Sequence, residues 1–116
     1  MSRDGGQTRA AAARVVDGVL TGGRSFDRAL REVVDRSLAP RELSQVKALA
    51  LGALRWHHRY RYIIKELLER PVRARDSVLE ALLSVGLFQL HHPRQPDYAV
   101  VSATVGRRTL TPKRSA

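Results

Sequence analysis

Apolar residues recur along this chain at intervals of three and four, the spacing of one helix face, and few stretches read as strand. A first helix is expected with Thr8 as N-cap, running to about Leu20. Its apolar positions are Ala12, Val15, Val16, Val19 and Leu20, and Thr21-Gly22-Gly23 ends it. Ser25 is a good cap for a second helix, which places Phe26, Ala29, Leu30, Val33 and Val34 on one face. Leu38-Ala39-Pro40 breaks that helix, and Pro40 suits the first turn of the next.

The third helix is the long one. Leu43, Val46, Ala50, Leu54, His57, Arg61, Ile64 and Leu68 step by threes and fours, and Leu51, Tyr60, Ile63 and Leu67 widen the stripe. The pattern runs unbroken from Arg41 to Glu69, a rod on the order of 43 Å, until Pro71 stops it. Gly52 sits in mid-helix, where it costs about 1 kcal/mol against alanine. A close helix crossing would account for it, and a kink at this position is the alternative.

After a basic turn at residues 71–75, Asp76 or Ser77 caps a fourth helix. Val78, Leu79, Leu82, Leu83, Leu87, Phe88 and Leu90 make that helix apolar around most of its circumference, which suits the centre of a bundle. His91 through Pro96 reads as a loop, and Asp97 caps a short fifth helix from Tyr98 to about Val105. The expected fold class is all-α, a bundle of about five helices. Residues 1–7 are expected to be flexible, 8–105 to form the domain, and 106–116 to be a basic disordered tail.

Composition narrows the chemistry. With 116 residues there is material for one domain. The absence of cysteine excludes disulfides, zinc–thiolate sites and thiol catalysis. MSRDGGQTR lacks the apolar core of a secretory signal, and no apolar run approaches the ~18 residues of a membrane span, so the cytoplasm is the expected location and no membrane partner is expected. His57-His58 and His91-His92 are adjacent pairs rather than the i, i+4 pairs of helical metal sites. No phosphate-cradling glycine loop or nucleophile elbow is present, so no cofactor, no metal and no enzymatic activity are expected.

The charge is the least ordinary property. Lys and Arg number 21 against 11 Asp and Glu, a net charge of +10, which favours a polyanionic partner. Residues 41–75 hold nine basic and three acidic side chains, so the excess is concentrated there. At its centre lies RWHHRYRY, Arg55 to Tyr62, with three arginines, two histidines, three aromatics and no acid. Arginine supplies planar donors for phosphate, and aromatic rings stack on unpaired bases, so the run points to RNA. A helix-turn-helix reading for DNA fits less well, because the densest basic segment is not on a short recognition helix.

Three segments in order resemble the NusB-like RNA-binding domain: TRAAAARVVDGVLTGGRSFDRAL, VKALALGALRWHHRYRYIIKELLERP and VLEALLSVGLFQLHHPRQPDYAVVSATV. That domain occurs alone as a transcription antitermination factor, and as the N-terminal domain of 16S rRNA cytosine-5 methyltransferases. Gly86 to Leu90 and the Leu68–Pro71 turn look more like the methyltransferase type. The resemblance covers about residues 8–105 and implies an all-α bundle that positions rRNA without catalysing anything. It further implies that the family's last helix and the catalytic domain are missing here, which would leave the fourth helix partly uncovered. Self-association or a protein partner at the helix four and five surface follows as an expectation. A stand-alone antitermination or protein-interaction module, and a truncated gene product, are the alternative readings.

For RNA contact the resemblance implies Arg9 and Arg14 at the basic start of the first helix. The residues themselves add Arg55, Arg59 and Arg61, with the basic turn Arg73 and Arg75 as outliers. Arg55 has a structural alternative, tying helices together. Trp56, Tyr60 and His57 suit the core better than a stacking platform, which leaves Arg59 as the best phosphate contact.

Overall fold

The computed structural model describes residues 5–34 and 38–93. Five α-helices follow one another: α1 Gly5–Leu20, α2 Phe26–Val33, α3 Pro40–Arg55, α4 His57–Leu67 and α5 Ser77–His91. A single 3-10 turn, Ala74–Asp76, leads into α5, and among the described residues there is no strand. The expected fifth helix from Tyr98 and the tail lie outside the described residues.

Helix α1 is the hub, packed against α2, α3 and α5. Its small side chains make this possible: Ala11, Ala12, Ala13, Val15 and Val16 are all buried, so three neighbours approach its backbone closely. The helix starts at Gly5, and Thr8 is a buried residue within it rather than its cap. The alanine-rich run that follows is strongly helix-forming and carries the turn upstream of Thr8. At the other end the Thr21 and Gly22 N–H groups both donate to the Asp17 carbonyl, at 2.8 and 3.1 Å. Gly23 takes a positive φ of 71°, which turns the chain out of the helix as the glycine pair suggests.

Ser25 caps α2 as expected, its hydroxyl accepting from the Arg28 N–H at 3.2 Å. Ala29 of α2 lies over Gly18 of α1, so the two helices meet through their smallest residues. Pro40 opens α3, and Glu42 reaches back to accept from the Ala39 N–H at 3.0 Å.

The uninterrupted third helix is corrected by the structure. Trp56, at φ −103° and ψ 17°, separates α3 from α4, and the long rod becomes two shorter helices. The Trp56 N–H still donates to the Gly52 carbonyl at 3.2 Å, so the apolar register carries across the break. The cause is α5. Gly52 faces the tip of the Phe88 ring, and the Trp56 ring meets His91 edge-on at 5.0 Å. Two anchors on one neighbouring helix hold α3 and set the direction in which α4 departs. Gly52 therefore marks a close crossing, and the break falls four residues later. The second half ends earlier too, at Leu67 rather than Glu69.

Helix α5 buries Ala81, Ser84, Val85 and Phe88, one stripe at helical spacing, against α1, α3 and α4. Its other side exposes Leu79, Leu82, Leu83 and Leu90, the last 79% exposed. Among the described residues it is packed on one side and exposed on the other. Ile64, Leu67, Leu82, Leu83, Leu87 and Leu90 line an apolar groove of about 270 Å³ between α4 and α5. Asp76 precedes α5 but makes no capping bond with its side chain.

Candidate nucleic-acid interface

Trp56 organises the first group of candidate residues. Because it breaks the helix, Arg55 ends α3 and Arg59 lies in the first turn of α4, both exposed. The Arg59 guanidinium stands over the Trp56 ring, 5.9 Å from its centroid, a cation–π arrangement. Arg55 is exposed at the end of α3. An exposed arginine stacked on indole offers donors to a phosphate while keeping its planar face ordered.

Under Trp56 lies an aromatic cluster that reaches across to the end of α5. Tyr60 is 1% exposed, so it belongs to the core as expected. Its hydroxyl lies 2.9 Å from His91 Nδ1. Burial pushes the Tyr60 phenol up from its usual range, so its hydroxyl stays protonated and available for this bond. Phe88 meets His92 at 4.7 Å, and the His91 and His92 rings lie 4.2 Å apart at a tilt of 49°. The sequence placed both histidines in a loop, but His91 is the last residue of α5 and His92 its C-cap. Their only sequence signal was the adjacent pairing, which says nothing of partners 31 residues away.

The other arginines divide. Arg61 is exposed and faces Glu80 of α5, Nε to Oε2 3.7 Å, instead of joining Arg59. Arg73 and Arg75 are exposed at the entry to α5, and Arg75 lies 3.9 Å from Asp76. Arg9 is half-buried and lies back over Gly5, and Arg14 is exposed further along α1. The structure thus brings Arg55, Arg59 and Trp56 together at one corner, with Arg61 turned toward α5 and Arg9 and Arg14 on α1.

His57 is half-buried and lines a polar cavity of about 460 Å³ between α1, α4 and α5, rather than sitting in the core. Burial, then the neighbouring His58 and Arg61, lower its pKa from the ordinary 6.5. Burial and His91 lower that of His92 likewise. Lowered values mean the unfolded chain takes up protons first as pH falls, so the contribution of both groups is complete above 6.5 and is lost below it. Urea unfolding at pH 7.5 and 5.5 is expected to show lower stability at pH 5.5. In His57→Asn/His92→Asn that difference shrinks; an unchanged difference would rule these histidines out as its source.

No group of three or more His, Cys, Asp or Glu able to hold a metal ion occurs among the described residues, and no helix there is long and apolar enough to cross a membrane.

An all-α chain with a basic, aromatic corner is the class of protein that the fold and site define. The NusB family model matches residues 6–107, and the chain belongs to the NusB family. Its relatives include the ribosomal RNA small subunit methyltransferase B of Pseudomonas putida, 38% identical over 98 residues, and that of Pseudomonas syringae pv. tomato, 40% identical over 99 residues. The same protein of Vibrio vulnificus is 38% identical over 97 residues. Each match covers 84% of this chain but 22% of the relative, in its N-terminal part. The chain therefore corresponds to the non-catalytic NusB-like region of those methyltransferases. No solved structure matches it.

Proposed function

We propose that this chain is an RNA-binding domain that holds ribosomal RNA, with 16S rRNA its substrate, in the manner expected of the N-terminal part of a small-subunit methyltransferase. The cytoplasm is its place of action. The observation that carries the reading is the corner at the α3–α4 break, where exposed Arg55 and Arg59 flank Trp56 in the most basic third of the chain. Arg9 and Arg14 on α1 are further candidate cations for the same RNA. Phosphate contacts supply affinity here, and unpaired bases and RNA shape supply specificity.

Salt titration tests this directly. Affinity for a 16S-derived hairpin is expected to fall steeply with salt on a log–log plot, and Arg59→Ala to reduce the slope by about 0.7–1. Binding no tighter than to random RNA, and indifferent to Arg9→Ala and Arg59→Ala, would overturn the reading.

The apolar groove favours a second reading, in which the domain also makes a protein contact, as an antitermination module would. A second copy of this chain is the partner that fits, because the exposed leucines of α5 continue the groove as one apolar face. Sedimentation is expected to show a concentration-dependent dimer that Leu83→Asp abolishes with RNA affinity retained. A monomer at all concentrations would sink it.

A further inference from the structure

The cavity between α1, α4 and α5 has a lining that the Arg55–Arg59 corner does not use. Its polar wall consists of Asp17, His57, Arg61, Ser77, Glu80 and Ser84. Val16, Leu20 and Ala81 give it an apolar side. A volume of about 460 Å³ is within the range of small-molecule sites. Asp17 Oδ1 is buried, and among the described residues no donor reaches it. Asp17 also lines the cavity, so a rotation of its side chain would bring this unsatisfied acceptor into the opening, where a ligand donor would pair with it.

The charges say what kind of ligand fits. Two carboxylates repel a phosphate, so the cavity is not an anion site. Arg61 and Glu80 are 3.7 Å apart, a loose pair that leaves both groups able to bond elsewhere. A planar ring with donors on one edge and an acceptor beside them satisfies carboxylate, guanidinium and apolar wall together. Guanine has that edge: N1–H and the exocyclic amine are adjacent donors, and O6 is the neighbouring acceptor. His57, with its lowered pKa, stays neutral near pH 7 and adds no charge.

A second depression adjoins the first. It has a volume of about 140 Å³, shares Arg61 and Glu80 with the cavity, and adds Lys65 and Arg70. Cations set beside a donor-seeking cavity match the two parts of a nucleotide, phosphate outside and base within. Neither Lys65 nor Arg70 stood out in the sequence, because each is one basic residue among many.

We propose that this cavity receives one unpaired guanine of a bound RNA strand, with the Asp17 carboxylate accepting from N1–H and the amine, Arg61 donating to O6, and Lys65 and Arg70 holding the adjoining phosphate. The proposal rests on the RNA-binding reading. It adds a base-reading site on the α5 N-terminal side, separate from the aromatic corner.

The test uses the whole chain and single-stranded RNA oligonucleotides that differ at one position: guanine, inosine or adenine in an otherwise uridine strand. Fluorescence anisotropy is expected to rank guanine first, with inosine weaker because it lacks the amine. Asp17→Asn is expected to remove a preference of about tenfold, while the salt slope stays as in the parent. Lys65→Ala/Arg70→Ala is expected to weaken all three strands alike. Guanosine 5′-monophosphate alone is expected to bind far more weakly than the strand, with amide shifts at Thr21, Ala81 and Ser84 in NMR spectra. Equal binding of the free nucleotide would overturn the assignment to a strand. RNA bound without any guanine preference, or with one that Asp17→Asn leaves intact, overturns the guanine site alone. A chain that binds none of the strands sinks the RNA reading as well. The base substitutions need no change in the protein, so a poorly folded variant does not shield the proposal.

Discussion

Gly52→Ala is expected to destabilise the domain, although alanine is the better helix former. A Cβ at Gly52 would meet Cζ and both Cε atoms of Phe88. That ring is 9% exposed and packed against His92, so it has little room to turn. Helices α3 and α5 must move apart instead, and overpacking of this kind costs about 1–3 kcal/mol, occasionally more. The helix propensity gained returns about 1 kcal/mol. A net loss of about 1 kcal/mol is therefore expected, which lowers Tm by roughly 4–8 °C in a domain of this size. Adding Phe88→Leu should recover part of the loss, since the smaller side chain vacates the contact, and the two changes will be strongly non-additive. A Gly52→Ala variant as stable as the parent would show that the crossing is not tight.

Tyr60→Ala is expected to be more damaging still. Tyr60 is the largest fully buried side chain among the described residues, and it joins α4 to the end of α5. Truncating a buried aromatic costs about 3–5 kcal/mol, a large part of what a small domain has in total. Tyr60→Phe keeps the ring and gives up only the hydroxyl bond to His91, a loss of about 1 kcal/mol. Urea midpoints for the two variants separate packing from hydrogen bonding. If Tyr60→Phe costs as much as Tyr60→Ala, the bond to His91 outweighs the ring and the packing account is wrong. RNA affinity should survive Tyr60→Phe, because the Arg55–Arg59 corner does not use the hydroxyl.

The contrast between Gly52 and Trp56 shows how far the candidate site was readable before the fold. Gly52 stood out because glycine is out of place in a helix, and close approach was the available physical reason. Trp56 gave no such sign, since one residue near ψ 0° scarcely alters a 3.6-residue pattern. Arg59 lies off the apolar stripe, which predicts exposure, and it is exposed. Arg61 lay on the apolar stripe, yet its guanidinium turns out toward Glu80. The sequence reads His91 and His92 as loop, and nothing in it marks Asp17, a single acid on a helix.

The sequence by itself determined the all-α class, the stop at Gly22-Gly23, the start at Pro40, the Ser25 cap and the basic excess in the middle third. These are local matters, set by propensity, by capping and by the spacing of apolar residues within one or two turns. Only the tertiary structure decided where the long helix breaks, which arginine stacks on Trp56 and which faces a carboxylate, and that Asp17, His57 and Glu80 share a cavity. Those outcomes depend on α5 crossing α1, α3 and α4, and the geometry of a crossing is fixed by packing between distant segments, which no periodicity along the chain records.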